Sequence, residues 1–152
     1  MPAQNAVVTP PRALPSVRAA SPYLLSLLLL AAGVNHFVNP EAYDRLVPRS
    51  LPAHRTITYV SGLAELVCAA AVATPRSRRA GGWLTAALFV AVFPANVQLA
   101  LDGGFGGSSF FGSATAAWLR LPLQVPLIAW AVQVARATPS PSSTERRPRR
   151  VV

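Results

Sequence analysis

The chain has 152 residues, with 14 Arg and no Lys set against five acids, for a formal net charge of +9. Apolar types make up 52% and charged types only 12%, about half the charged share of an ordinary soluble domain. That composition excludes a water-soluble globule, which needs charge over most of its surface.

Long uncharged runs exclude intrinsic disorder for the middle of the chain. The lone Cys68 excludes a disulfide scaffold, a CxxC redox motif and a multi-cysteine metal site. The basic balance does not signal nucleic acid either. Apart from Arg120, the Arg residues fall in tails and connectors that flank apolar spans, whereas nucleic-acid binders gather charge on one patch of a folded module.

A hydrocarbon core about 30 Å thick needs a helix of about 17–25 residues. Residues 1–20 are rich in Pro and Ala, bury no apolar face, and predict a disordered tail. Ser21–Val38 is the first span; it is longer than a signal-peptide core, and three more spans follow it. In the 39–56 connector, Asn39 before Pro40 predicts a helix cap, with Glu41 favourably placed in the first turn. Tyr43, Leu46 and Val47 share one face there, which predicts a two-turn helix lying on the membrane surface until Pro48 and Pro52 end it. Ile57–Ala73 is the second span and Ala80–Leu101 the third. Gly103, Gly104, Gly106 and Gly107 have no Lys after them and no strand–helix context, so they predict a flexible loop rather than a phosphate cradle. Ala114–Ala135 is the fourth span, and the Pro-, Ser- and Arg-rich stretch 137–152 predicts a second disordered tail. Because lipid offers the backbone no partners, the spans must be helices. The expected fold is an all-α integral membrane four-helix bundle over residues 21–136.

Charge sets the expected orientation. Two Arg in the N-terminal tail, three in the 74–79 connector and five from Arg136 onward lie on one side; the opposite connectors hold three. Ten against three places both termini in the cytoplasm.

The informative residues are those that do not belong in lipid: Asn35, His36, Glu65, Asn96, Gln98, Arg120 and Gln124. With both termini inside, all seven fall in the outer half of the bilayer, Glu65 at about 12 Å from its outer end for a rise of 1.5 Å per residue. A lone charge at the membrane centre costs about 3 kcal/mol or more on insertion scales, so such groups face the bundle interior and pair. Glu65 and Arg120, at matched depth, are therefore expected to pair. Arg120 and Gln124 share a face four residues apart, as do Gly62, Glu65, Cys68 and Ala69, whose small neighbours allow close helix approach. Pro94, Pro122 and Pro126 each deprive a carbonyl of its donor and predict kinks; Asn96, Gln124, Arg120 or water can supply the missing donors. A polar, kinked pocket opening outward follows. The bland reading is interhelical glue for the amides and packing for Cys68. A single intramembrane His makes a poor metal site, so none is expected.

The strings GVNHFVNPEAY (33–43), LVPRSLP (46–52), YVSGLAELVCAA (59–70), FPANVQLAL (93–101) and WLRLPLQVPLIAWA (118–131) together resemble the DoxX family of small membrane proteins. The resemblance implies a four-helix bundle in the cytoplasmic membrane associated with quinone-linked redox complexes. It falls on His36, Glu65, Asn96, Arg120 and Gln124, the expected cofactor-binding set. No soluble partner domain is fused to these strings, so thiosulfate chemistry does not carry over, and no self-contained catalytic set is present.

Three functions compete. One is an accessory subunit that binds a quinone headgroup beside a redox protein partner. The second is a proton-coupled transporter that titrates Glu65, and the third is a non-catalytic assembly scaffold. Oligomeric state is not legible.

Overall fold

The computed structural model describes residues 17–106 and 112–138. Most of the two predicted tails, 1–16 and 139–152, and part of the glycine loop, 107–111, lie outside the described residues. Six helices follow in order: α1 (Val17–Val38), α2 (Pro40–Asp44), α3 (His54–Ala73), α4 (Arg78–Ala91), α5 (Phe93–Leu101) and α6 (Ala114–Ala137). With α4 and α5 taken together, four of these units are long and apolar enough to cross a membrane. The protein is an all-α membrane four-helix bundle.

Each span departs from its expected bounds: α3 starts at His54 rather than Ile57, and α4 at Arg78 rather than Ala80. α1 begins at Val17, inside the predicted tail, because Val17, Ala19 and Ala20 continue a helix in which Pro22 forfeits only one backbone bond. α6 runs through Ala137. The third span is two helices, with Val92 between them and Pro94 in the first turn of α5. Pro94 has no N–H to donate back to Val90, so the α4 ladder stops, and Val92 accepts from both Ala95 and Asn96 to start the next. α6, by contrast, continues over both Pro122 and Pro126.

The helices pack in the order α1, α3, α4, α6, and α1 touches α6 at the end that carries the chain termini. There Trp130 Nε1 donates to Ser21 Oγ at 2.8 Å. Arg78 closes the same end of α3 by donating to the Val72 and Ala73 carbonyls at 2.9 and 3.0 Å. A core of Leu25, Leu29, Ala69, Val72, Phe89, Ala131 and Val134 fills this half. The opposite end holds a smaller cluster, Leu99, Ala100 and Ala117 with Leu46, Phe105 and Leu121 packed on it. The outward faces are as apolar as the core: Leu24, Leu27, Val60, Leu63, Val67, Leu84, Leu119 and Val125 are all exposed. In water that arrangement would be untenable; in a bilayer those side chains meet lipid.

α1 and α3 cross at Gly33 and Gly62. A Cβ on Gly62 would sit 2.6 Å from the His36 Cβ and 3.1 Å from the Gly33 carbonyl oxygen. Gly62→Ala should therefore destabilise the bundle by about 1–3 kcal/mol, the usual range for overpacking. Leu63→Ala, on the lipid face, should change little. Thermal unfolding in mild detergent measures both, and equal losses would show that the crossing is not tight.

Candidate functional site

Between the two cores lies a cavity of about 480 Å³, within the usual size range of small-molecule sites. His36, Glu65, Asn96, Arg120 and Gln124 all line it, together with apolar side chains such as Val47, Ile57, Val92, Leu123 and Leu127. Five of the seven residues singled out in sequence by depth and cost thus come from four different helices to one space. Asn35 and Gln98 do not line it. Asn35 is exposed and binds its own connector, donating to the Tyr43 hydroxyl at 2.9 Å and accepting from Asn39 at 2.8 Å.

The cavity exists because the helices separate toward this end. α3 packs on α1 and α2, whereas α5 packs on α6 and only slightly on α4. The break at Val92 lets α5 follow α6 away from α3. Gln124 bridges the break: its Nε2 donates to the Phe89 carbonyl, and its Oε1 accepts from Asn96 Nδ2 at 3.3 Å. One buried amide thus links α4, α5 and α6 at the point where proline interrupts the ladder.

The expected Glu65–Arg120 pair is not what forms. Among the described residues the ionic neighbour of Glu65 is His36, with Nδ1 3.4 Å from Oε2. The Arg120 guanidinium lies over the Phe105 ring, 5.0 Å from its centroid. The reason is packing: α3 and α1 are in direct contact, while the cavity itself separates α3 from α6. His36 Nδ1 lies 2.9 Å from the Ala32 carbonyl. A carbonyl only accepts, so Nδ1 carries the proton and Nε2 of the neutral ring is an acceptor. With that proton committed, Glu65 Oε2 is fully buried without a hydrogen-bond partner.

Tyr43 is the site residue that the sequence reading misplaced. Its ring stacks on His36 with centroids 3.6 Å apart. The apolar face it shares with Leu46 and Val47 turns inward over the cavity instead of lying on the membrane surface. α2 is also shorter than expected, and the Asn39 side chain bonds Asn35 rather than capping it. Tyr43, Leu46, Asn96 and Arg120 additionally border a second, more polar cavity of about 660 Å³, whose other walls include Asn35, Asn39, Glu41 and Arg45. Tyr43 therefore stands between a polar vestibule and the inner cavity.

A family model described as a domain of unknown function, DUF8561, matches residues 25–135. The chain belongs to the DUF8561 family. No curated protein and no solved structure matches it. The match runs from Leu25 in α1 to Ala135 in α6, so in this DUF8561 protein every wall of the cavity lies inside the family domain.

α2 is fastened to α3 by Asp44, which accepts from Arg55 Nε and from Thr58 Oγ1, each at 2.7 Å. Partial burial pushes the Asp44 carboxyl up, but the bonds from Thr58 and Arg55 and the Arg55 charge outweigh it and hold the carboxyl below its ordinary value. A depressed carboxyl contributes stability that is complete above its unfolded pKa of about 3.9 and is lost as pH falls through the folded one. Between about pH 5 and pH 3 the melting temperature of the wild type should therefore drop more than that of Asp44→Asn. Parallel slopes would mean that Asp44 does not hold α2 down.

Proposed function

We propose that this DUF8561 protein, as a relative of the DoxX proteins it resembles, is an accessory membrane subunit whose cavity binds the headgroup of a quinone. One observation carries the reading: every one of the five strings that bear the resemblance contributes a wall residue to the same cavity. Tyr43 and His36 come from the first, Leu46 and Val47 from the second, Glu65 from the third, Asn96 from the fourth, and Arg120 with Gln124 from the fifth. An apolar chamber with a few convergent polar groups suits a flat ring with polar edges and an apolar tail. The amino-acid groups here can bond a headgroup and carry protons; electrons come from a redox partner. The resemblance implies the cytoplasmic membrane, and the Arg asymmetry puts both termini inside, with the vestibule facing outward.

The binding test is mass spectrometry of protein purified in mild detergent from quinone-containing membranes. Quinone should be retained, and Arg120→Leu should lower retention while helical content by circular dichroism is unchanged. If the protein carries no quinone, and added quinone neither shifts its melting nor competes with a labelled analogue, the scaffold reading replaces this one.

The orientation test places single cysteines at Ser108 and Ser140 in a Cys68→Ala background. An impermeant thiol reagent on intact cells should label position 108 and spare position 140; the reverse pattern would turn the vestibule to the cytoplasm.

A second reading draws on the same unfilled carboxyl, with Glu65 as the titrating group of a proton-coupled carrier. Proton flux into vesicles containing the purified protein, driven by a candidate substrate and abolished in Glu65→Gln, would favour it over quinone binding.

A further inference from the structure

The hydrogen-bond pattern on the α1–α3 wall of the cavity narrows the chemistry of the ligand. Neither oxygen of Glu65 accepts a hydrogen bond from any described residue: Oε2 is occluded beside His36, and no bond to Oε1 is formed. His36 commits its Nδ1 proton to Ala32, and its Nε2 accepts nothing from the described residues. Thr58, on the same wall, has given its proton to Asp44. Tyr43 turns its ring toward His36, while its hydroxyl oxygen accepts from Asn35, which borders the vestibule and not the inner cavity, so the hydroxyl lies on the vestibule side. On the opposite wall Asn96 and Gln124 each spend one amide proton, on Gln124 Oε1 and the Phe89 carbonyl, and each keeps a second, so donors lie on that side of the cavity and acceptors on this one.

Glu65 and His36 both line the cavity, and a ligand that displaces water from it has to supply a partner for the open carboxyl oxygen and for the imidazole Nε2 or leave them unpaired at a cost. A carbonyl cannot fill both. It accepts only, and it leaves an ionised Glu65 and the His36 Nε2 lone pair without a donor. A hydroxyl accepts from a protonated Glu65 while donating to His36 Nε2, and donates its one proton to this wall when Glu65 is ionised, so in either state it fills an acceptor that a carbonyl leaves empty. On the reading that the cavity holds a quinone-type ring, we infer that it binds the reduced, dihydroxy form in preference to the dione, with one ring hydroxyl against Glu65 and His36. The protein is on this view a holder of quinol.

The test uses two ligand pairs on detergent-purified wild-type protein. The first is 2-methyl-1,4-naphthoquinone and the same ring kept as its hydroquinone by dithionite. The second is redox-inert: 4-nonylphenol and its methyl ether, which lacks only the hydroxyl proton. The hydroquinone and the phenol should each bind on the order of tenfold tighter than their partners, the factor expected when a buried acceptor is left unfilled. Equal binding within both pairs, or a preference for dione and ether, overturns the inference and leaves the quinone-site reading standing. Failure of all four to bind overturns both. Glu65→Leu should erase the phenol-to-ether difference; a folded variant that keeps it would remove Glu65 from the contact. The wild-type comparison decides the matter if that variant does not fold.

Discussion

In hydrocarbon a backbone carbonyl without a donor has no water to turn to, and Pro94 creates that situation in the middle of a span. The bundle is held together across that break. Pro94 deprives the Val90 carbonyl, and at the neighbouring Phe89 carbonyl the Gln124 amide crosses from α6, with Asn96 supporting it from the far side of the break. With the end of α4 tied to α6 in this way, α5 does not continue the line of α4 and instead lies along α6. A proline that would simply weaken a soluble helix here redirects half a span.

That redirection divides the end of the bundle away from the termini into two bodies with different polar character. One, made of α1, α2 and α3, brings His36, Glu65 and Tyr43 together through direct helix contact. The other, made of α5 and α6, carries Asn96, Gln124 and Arg120. The termini-side core of Leu25, Leu29, Val72 and Ala131 holds the bodies together below, and the cavity is the space left where they part. Its two walls differ in hydrogen bonding: the amides of one wall are bonded to each other and to the end of α4, while among the described residues the Glu65 Oε2 of the other has no partner.

The spans were legible because lipid demands long apolar helices, and their composition admits no other fold. Convergence of the five polar residues was legible too, since placing each at a depth and asking where its cost is least leads to a common interior. What depth cannot reveal is which helix stands next to which. Glu65 was matched to Arg120 by charge and depth, yet His36 had the closer approach, and the available signal was Gly33 and Gly62, the two small residues that let α1 and α3 touch. Tyr43 was misplaced for a related reason. An apolar face on a connector reads equally well as lying on lipid or as covering a cavity, and the choice is made by Asp44, whose bonds to Arg55 and Thr58 are contacts across 11 and 14 residues that periodicity does not report. The fate of the prolines was split likewise. Pro94 broke its helix, while Pro122 and Pro126 sit inside α6, which is packed by both α4 and α5.

The glycines complete the argument by showing where the cavity cannot be. Gly62 brings α3 against α1, Gly81 brings α4 against the backbone of Ala71 and Val72 in α3, and Gly82 brings α4 against Ala131 and Ala135 in α6. At each of these interfaces a single added Cβ would collide, so three of the helix–helix seams are closed to any ligand. The seam between α3 and the α5–α6 pair has no such contact, and it is the one that the proline break widens and that α2 roofs with Tyr43. Small residues where the bundle must be tight, a proline where it must part, and a connector tethered by Asp44 across the gap together open the inner cavity, and the two ionisable side chains in the middle of the spans, Glu65 and Arg120, both face it.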